Sequence, residues 1–410
     1  MKKYLVFLLS VLLVLGSVSF VIADDGGMDS VRAMKPGAKV MLGGDARVRG
    51  TWIKNPDFDS DAENDNRYYD QRIRLKVKGE AGNGISANLR LYITNSPKWD
   101  GTSNTACEGC ILIDWAYITV PVSQVTVNAG LMKRYYGNAF MNNSAIPQGD
   151  QYDSRFDTLE VIGKFESVTV TAFTNKQDDT LDTVTGEDNL KDFNDYGVIL
   201  AADVGAIEAG GMIVYHHDNR TTAGTEHDDG TDVSIYAKGE VSGITVGGEV
   251  VFLTGDISKD TADNTPLGLM LYAKTTVGAI GVRGDFAYAS NSYEASYAYE
   301  PTLMIGTVSQ TGQLDFFSEN DAKSWLLAGT VDTDVMEDVN VLGRVAYASF
   351  EEDGGGDTGT LLELDGKVTV QLAKNARYIF EAAYGNPGGD LTPDDADAMI
   401  IVANRAELFF

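Results

Sequence analysis

Histidine, cysteine and proline are scarce in this chain of 410 residues, which holds three, two and nine of them. The histidines are His216, His217 and His227, and no Ser-centred hydrolase motif, P-loop or dinucleotide fingerprint accompanies them. No histidine follows Cys110 directly, so Cys107 and Cys110 are not a c-type haem attachment site. Basic residues are also few: 32 Lys and Arg stand against 60 Asp and Glu, a formal charge of -28 that argues against a nucleic-acid partner. After the first two dozen residues no apolar run is long enough for a helical membrane span. No composition break divides the remainder into domains.

What is present starts with a secretory signal over 1–23. Lys2 and Lys3 form a basic start, Tyr4 to Ile22 is almost wholly apolar, and Val21-Ile22-Ala23 fits a small-residue cleavage site. A membrane anchor is the alternative, because the run approaches the length of a span. No cysteine follows the run at once, so a lipid anchor is not indicated. Export would place Cys107 and Cys110 in an oxidising compartment, which predicts a local disulfide rather than a zinc or redox site. A leader over 24–39 then precedes the main body, 40–410.

That body is written in period-two alternation. In Tyr69 to Gly79, Ile73, Leu75 and Val77 are apolar while Arg72, Arg74, Lys76 and Lys78 are basic. Ala81-Gly82-Asn83-Gly84 supplies a tight turn, since Gly and Asn tolerate positive φ, and Ile85 to Ile93 resumes the alternation. The same rule puts Val40, Leu42, Ala46, Val48 and Trp52 on one face of the first strand and Asp45, Arg47 and Arg49 on the other. It predicts strands at 40–52, 67–79, 85–95, 111–120, 125–132, 156–165, 168–175, 195–204, 207–217, 232–241, 244–254, 267–277, 280–289, 324–332, 339–350, 360–372, 377–384 and 398–410.

The connections alternate between short and long. Glu166-Ser167, Gly205-Ala206, Ser242-Gly243 and Gly278-Ala279 are short; 96–110, 133–155, 218–231 and 290–323 are long. Short turns on one rim and long loops on the other mark an all-β, transmembrane, antiparallel up-and-down β-barrel of about 18 strands, with 16 or 20 as alternatives. Aromatics give a separate test. Trp52, Tyr215, Phe252, Tyr288, Tyr347 and Tyr384 end upward strands on their apolar faces, and Tyr69, Tyr196 and Trp325 begin downward ones, so all nine gather at the long-loop rim as an interfacial girdle. The apolar face then meets lipid and the polar face lines water.

On these features, together with the closing strand that ends in Phe409-Phe410, the chain resembles the Gram-negative outer-membrane porins. The resemblance implies a water-filled channel for passive diffusion of small polar or charged solutes, with outer-membrane lipid and lipopolysaccharide as surroundings. It implies that Phe410 is the terminal aromatic read by the barrel-insertion machinery. A homotrimer is an assembly common among general porins, although no residue here marks a trimer face. The loop 133–155 stands where the third loop of porins folds into the lumen, which makes Lys133, Arg134, Asp150 and Asp153 candidates for a constriction. It lacks the Pro-Glu-Phe-Gly-Gly sequence of the enterobacterial general porins.

The strongest constellation of charge is a ladder on the first three strands: Arg47, Arg49, Arg72, Arg74, Lys76, Lys78 and Arg90. Neighbouring strands lie about 4.8 Å apart, so these side chains form one basic wall that would favour anions. The alternative is neutralisation across the lumen by residues such as Glu160, Asp203, Glu208, Glu249, Asp285, Glu363 and Asp365. The loop 290–323, with Leu303-Met304-Ile305, is either a plug or an extra hairpin.

No metal or cofactor is expected. The acidic loops begin one EF-hand-like run at Asp57, but Ala62 stands where the turn glycine belongs and Tyr68 where the last ligand belongs, so a solvated acidic rim is the reading. An Asp-His pair near His216 and His217 would be the one route to barrel hydrolysis, and without a second acidic pair in register no enzyme is expected. Two other functions use the same barrel: a sheath around a periplasmic multihaem cytochrome, and a conduit that exports an acidic polysaccharide.

Overall fold

The computed structural model describes residues 39–56, 58, 65–96, 111–132, 156–181, 190–218, 229–255, 265–290, 293, 302–306, 314–315, 321–352, 358–389 and 397–410. The signal 1–23, nearly all of the leader, Cys107, Cys110 and His227 lie outside them. So do the constriction candidates Lys133, Arg134, Asp150 and Asp153.

The strands are β1 (Lys39–Lys54), β2 (Asn66–Glu80), β3 (Ser86–Ser96), β4 (Leu112–Val122), β5 (Val125–Met132), β6 (Phe156–Phe165), β7 (Val168–Leu181), β8 (Leu190–Val204), β9 (Ile207–Asp218) and β10 (Gly230–Val241). They continue with β11 (Ile244–Gly255), β12 (Leu267–Val277), β13 (Ile280–Ser290), the two-residue β14 (Ile305–Gly306) and β15 (Leu314–Asp315), β16 (Asp321–Met336), β17 (Val339–Glu352), β18 (Thr358–Ala373), β19 (Ala376–Gly389) and β20 (Met399–Phe409). All but β14 and β15 form one 18-stranded sheet in which sequence neighbours pair antiparallel and β20 returns to β1. The predicted barrel and its strand number are therefore found. The extra hairpin in 290–323 is not a pair of barrel strands: β14 and β15 pair only with each other, in parallel.

Closure is a requirement of the solvent. In hydrocarbon an unpaired N–H or C=O costs several kcal/mol, and a sheet with no edge has none to spare. The seam is completed by the last residue, where the Gly44 N–H donates to the Phe410 carbonyl at 2.7 Å and the Phe410 N–H donates to the Gly44 carbonyl at 3.1 Å. Gly44 is required there, because a Cβ would run into the Arg74 carbonyl oxygen of the neighbouring strand and would stand 2.7 Å from the Phe410 ring, which lies across it.

The short turns carry the left-handed residues that such connections need: Asn83 (φ 66°), Ser123 (φ 59°), Glu166 (φ 53°), Gly205 (φ 66°), Ser242 (φ 53°) and Gly278 (φ 65°). The outer face is apolar and open. Leu42, Val48, Val198, Leu200, Ile213, Ile235, Leu271, Leu327 and Leu364 are all exposed, as a lipid-facing belt must be. Its upper margin is the expected girdle. Tyr196 pairs across strands with Tyr215, Tyr288 with Trp325, and Trp325 packs on Tyr347 at 5.4 Å.

Leu200 is 52% exposed, midway between the Tyr196 girdle and the end of β8. Leu200→Arg should cost about 2–4 kcal/mol of folding free energy in lipid vesicles, measured by denaturant titration. A loss no larger than that of an exposed-loop substitution would mean that this face does not meet hydrocarbon.

Candidate functional site

The interior of β1 to β4 is a lattice of paired charges. Register sets Arg47 beside Arg72, two like charges across a strand pair, with Asp45 beside Arg74 on one side and Arg49 beside Asp70 on the other. Each carboxylate then bridges two guanidiniums of the neighbouring strand. Asp45 takes Arg72 at 3.2 Å and Arg74 at 2.9 Å, while Asp70 takes Arg47 at 3.3 Å and Arg49 at 2.6 Å. All four arginine side chains are at least 86% covered, so these ion pairs are far less screened than surface pairs.

Arg90 continues the lattice on β3, paired to the fully buried Asp114 and stacked 3.4 Å over the Trp115 ring. A register shift between Arg90 and Leu91 lets Asp114 and Trp115 share one face of β4. Lys78 pairs with Glu80 at 2.6 Å near the short-turn rim. Against the seven ladder cations of β1 to β3 stand four carboxylates of β1, β2 and β4, Asp45, Asp70, Glu80 and Asp114, three fewer than the cations, while on the other flank β20 sets one charge of each sign, Glu407 and Arg405, beside Arg47 and Arg49. The ladder cations lie side by side on β1 to β3, and the carboxylates paired with them stand on β1, β2 and the neighbouring β4. Asp70, Glu80 and Asp114 are the partners that the alternation did not single out. Asp70 is legible as the inward position two before Arg72; Asp114 is not, because the bulge breaks the alternation.

A second polar seam crosses β6 to β10 near the long-loop rim. Thr158 donates to Asn175 at 2.9 Å, Asn175 to Asp195 at 3.4 Å, and His216 lies between Asp195 (Nδ1, 2.7 Å) and Asp232 (Nε2, 3.0 Å). Every member is buried. A neutral imidazole has one N–H, so the ring donates to both carboxylates only as the imidazolium. Its nitrogens are thereby occupied, and His216 holds the wall together rather than offering a base. His217 instead meets Asp229 at 2.9 Å on the exposed outer rim, where Tyr215 donates to the same carboxylate at 2.9 Å.

The inward face is not polar throughout, which corrects the expectation of a uniformly wet lining. Near the long-loop rim Ile53, Val214, Val251, Met270, Leu326, Leu361, Met399 and Ile401 point inward and are buried, in one cluster with Tyr293, Met304 and Ile305. From within 290–323, Tyr293, Met304 and Ile305 join this cluster, and Leu303 packs against it.

A closed barrel with an apolar belt and a charge-lined interior defines the class: the chain resembles the porin superfamily. More particularly, residues 48–183 match the family model described as phosphate-selective porin O and P, a span that takes in all of the cationic ladder except Arg47. Three Pseudomonas aeruginosa structures share the fold. The outer membrane protein OpdK is 12% identical, with 90% of this chain and 98% of that one covered and a TM-score of 0.59. OccK8 (OprE) is 9% identical over 91% and 98%, with a TM-score of 0.58, and OprD 11% identical over 91% and 95%, with a TM-score of 0.57. Among curated proteins none matches.

The lattice makes a stability prediction. Asp70→Ala strands Arg47 and Arg49 without their shared carboxylate and should cost about 3–5 kcal/mol in denaturant unfolding. Glu80→Ala, which removes the partner of an open pair, should leave the midpoint nearly unchanged.

Proposed function

We propose that the chain is an outer-membrane porin, a water-filled channel for passive diffusion of small charged solutes, with anions favoured at the wall of β1 to β4. The observation that carries the reading is the inversion of a soluble protein: apolar residues outside, buried ion pairs inside, and a sheet without an edge. The excess of three positive charges on one wall supports the anionic class, since focused positive potential raises the local concentration of anions. The name of the matching family points the same way. A channel rather than an enzyme is also favoured by His216, whose ring nitrogens are both taken by carboxylates.

Residues 1–23 direct export in this reading, Cys107 and Cys110 form a local disulfide, and Phe410 serves the insertion machinery as well as the seam. Replacing Phe410 by Ala should lower the yield of folded protein in the outer membrane more than it lowers refolding from denaturant in vitro. Equal losses in both would reduce the residue to a packing role.

The deciding experiment is single-channel recording of refolded protein in a planar bilayer under a KCl gradient. Steady ohmic steps are expected, with a zero-current potential of the anion-selective sign. Lys76→Glu with Lys78→Glu should move that potential toward cation selectivity. No steps from a heat-modifiable, folded barrel would overturn the channel, and a cation-selective wild type would overturn the role given to the ladder.

A further inference from the structure

Two strands beyond the β1 edge of the arginine lattice, across β20 and β19, Glu363 of β18 points inward, fully buried. Its carboxylate is enclosed by a turn of the chain, Thr302 to Ile305, that belongs to none of the barrel strands. The Thr302 hydroxyl donates to Glu363 Oε2 at 2.6 Å, the Leu303 and Met304 N–H groups donate to Oε1 at 3.1 and 2.8 Å, and the Ile305 N–H reaches Oε2 at 3.2 Å. The Leu303 N–H also reaches Asp365 at 3.2 Å, and the Ile305 N–H is shared with Thr302 Oγ1 at 2.8 Å. Three successive main-chain N–H groups converging on one anion form a concave anion-binding nest.

The wall around Glu363 is cut to receive this turn. Its cross-strand neighbours are Ala346 and Gly385, with Ala348 and Ala383 beside them, so the inward surface is low on both flanks. Gly385 has no side chain where the Met304 sulfur lies: a Cβ there would stand 2.5 Å from Sδ and 3.2 Å from Leu361. Met304 and Ile305 are both fully buried against this patch. The turn is thus held by two independent means, a buried anion in a nest and an apolar plug in a socket.

We infer that Glu363 is the positioning residue of an internal constriction, a tethered anion that fixes the Thr302–Ile305 turn inside the lumen and so sets the size of solute that passes. An uncompensated carboxylate at that depth would be costly, and the turn supplies the donors that make it tolerable. Conversely, the three N–H groups need an acceptor, and no water reaches a site this covered as readily as the side chain already there. Asp365 sits two residues on, but its carboxylate is shared with Arg344 at 3.5 Å, so it does not replace Glu363.

The consequence for permeation rests on the channel reading, whereas the position of the turn does not, and the test separates them. Glu363→Ala keeps the nest and removes its anion. In planar bilayers its conductance should rise by about twofold, because a lumen-filling element is released, and added formate should return it toward the wild-type value by refilling the nest. A second readout needs no ion flow: Leu303→Cys in a Cys107→Ser, Cys110→Ser background is labelled with a maleimide in folded, heat-modifiable protein. Labelling should be faster with Glu363→Ala than without it, and slower again in formate, while Glu363→Gln, which presents an amide donor to the nest, should resemble Glu363→Ala. Unchanged labelling and conductance in Glu363→Ala would overturn the proposal. So would an increase that formate does not reverse, which would assign the effect to general loosening of the wall. A labelling response from a barrel that never conducts would leave the tether standing and remove the channel.

Discussion

Everything in this molecule follows from the need to pair each backbone polar group within a medium that offers none. A helix would do so internally, but the sequence has Val, Ile, Thr and aromatic residues in strict alternation, which suits strands and not helices. Strands can meet the demand only by closing, and closing fixes the rest: an even number of antiparallel strands, an inside and an outside, and a seam at which the two ends of the chain must meet. The seam brings Gly44 and Phe410 together through reciprocal main-chain hydrogen bonds, with the ring of one lying in the space left by the other. The terminal aromatic is therefore a structural closure before it is anything else.

Once the sheet is closed, the period of two distributes the chemistry without further instruction. Leu200 goes out and Ile199 goes in because they are neighbours on one strand. The inward charges could not remain isolated, since the interior wall is crowded enough to cover the guanidiniums almost completely. Register resolves this with reciprocal bridging, β1 lending Asp45 to two arginines of β2 and β2 lending Asp70 to two of β1. Two like charges facing each other, Arg47 and Arg72, are tolerable because each has an opposite carboxylate diagonal to it. What is left over is positive, and it is left on one wall.

The barrel was legible in the sequence because three signals that arise from different causes agree: alternation from the pleat, loop asymmetry from the up-and-down path, and aromatics from the interface. Each strand expected from that reasoning is present, and most limits agree within a few residues. The interior was less legible. Alternation says which side a residue faces and nothing about what stands opposite, so the ladder cations could be named while their partners were sought across the lumen instead of on the next strand. Asp114 was hidden by a register shift that puts two consecutive residues on one face. The apolar upper lining was hidden for another reason: Ile401, Leu361 and Val251 look like lipid-facing residues in composition, and only the register turns them inward. The candidates in 133–155 lie outside the described residues; among those described, the Thr302–Ile305 turn lies against the inner wall.

That turn explains why the inward face of β17 to β19 changes character with height. A lumen that must hold water needs polar walls, and near the short-turn rim it has them. Near the long-loop rim, away from the polar seam of β6 to β10, the wall of β17 to β19 instead meets folded chain, and folded chain is best met by apolar side chains and by small ones that leave room. The alanines and glycine at 346, 348, 383 and 385 are the imprint of the turn in the wall, as Glu363 is its point of attachment. Glu363 stands at the upper end of the inward charged row Glu363, Asp365 and Lys367, among alanines and without a cation of its own strand pair beside it. Paired with Thr302 and three consecutive amides it becomes the means by which a segment outside the sheet acquires a fixed place within it.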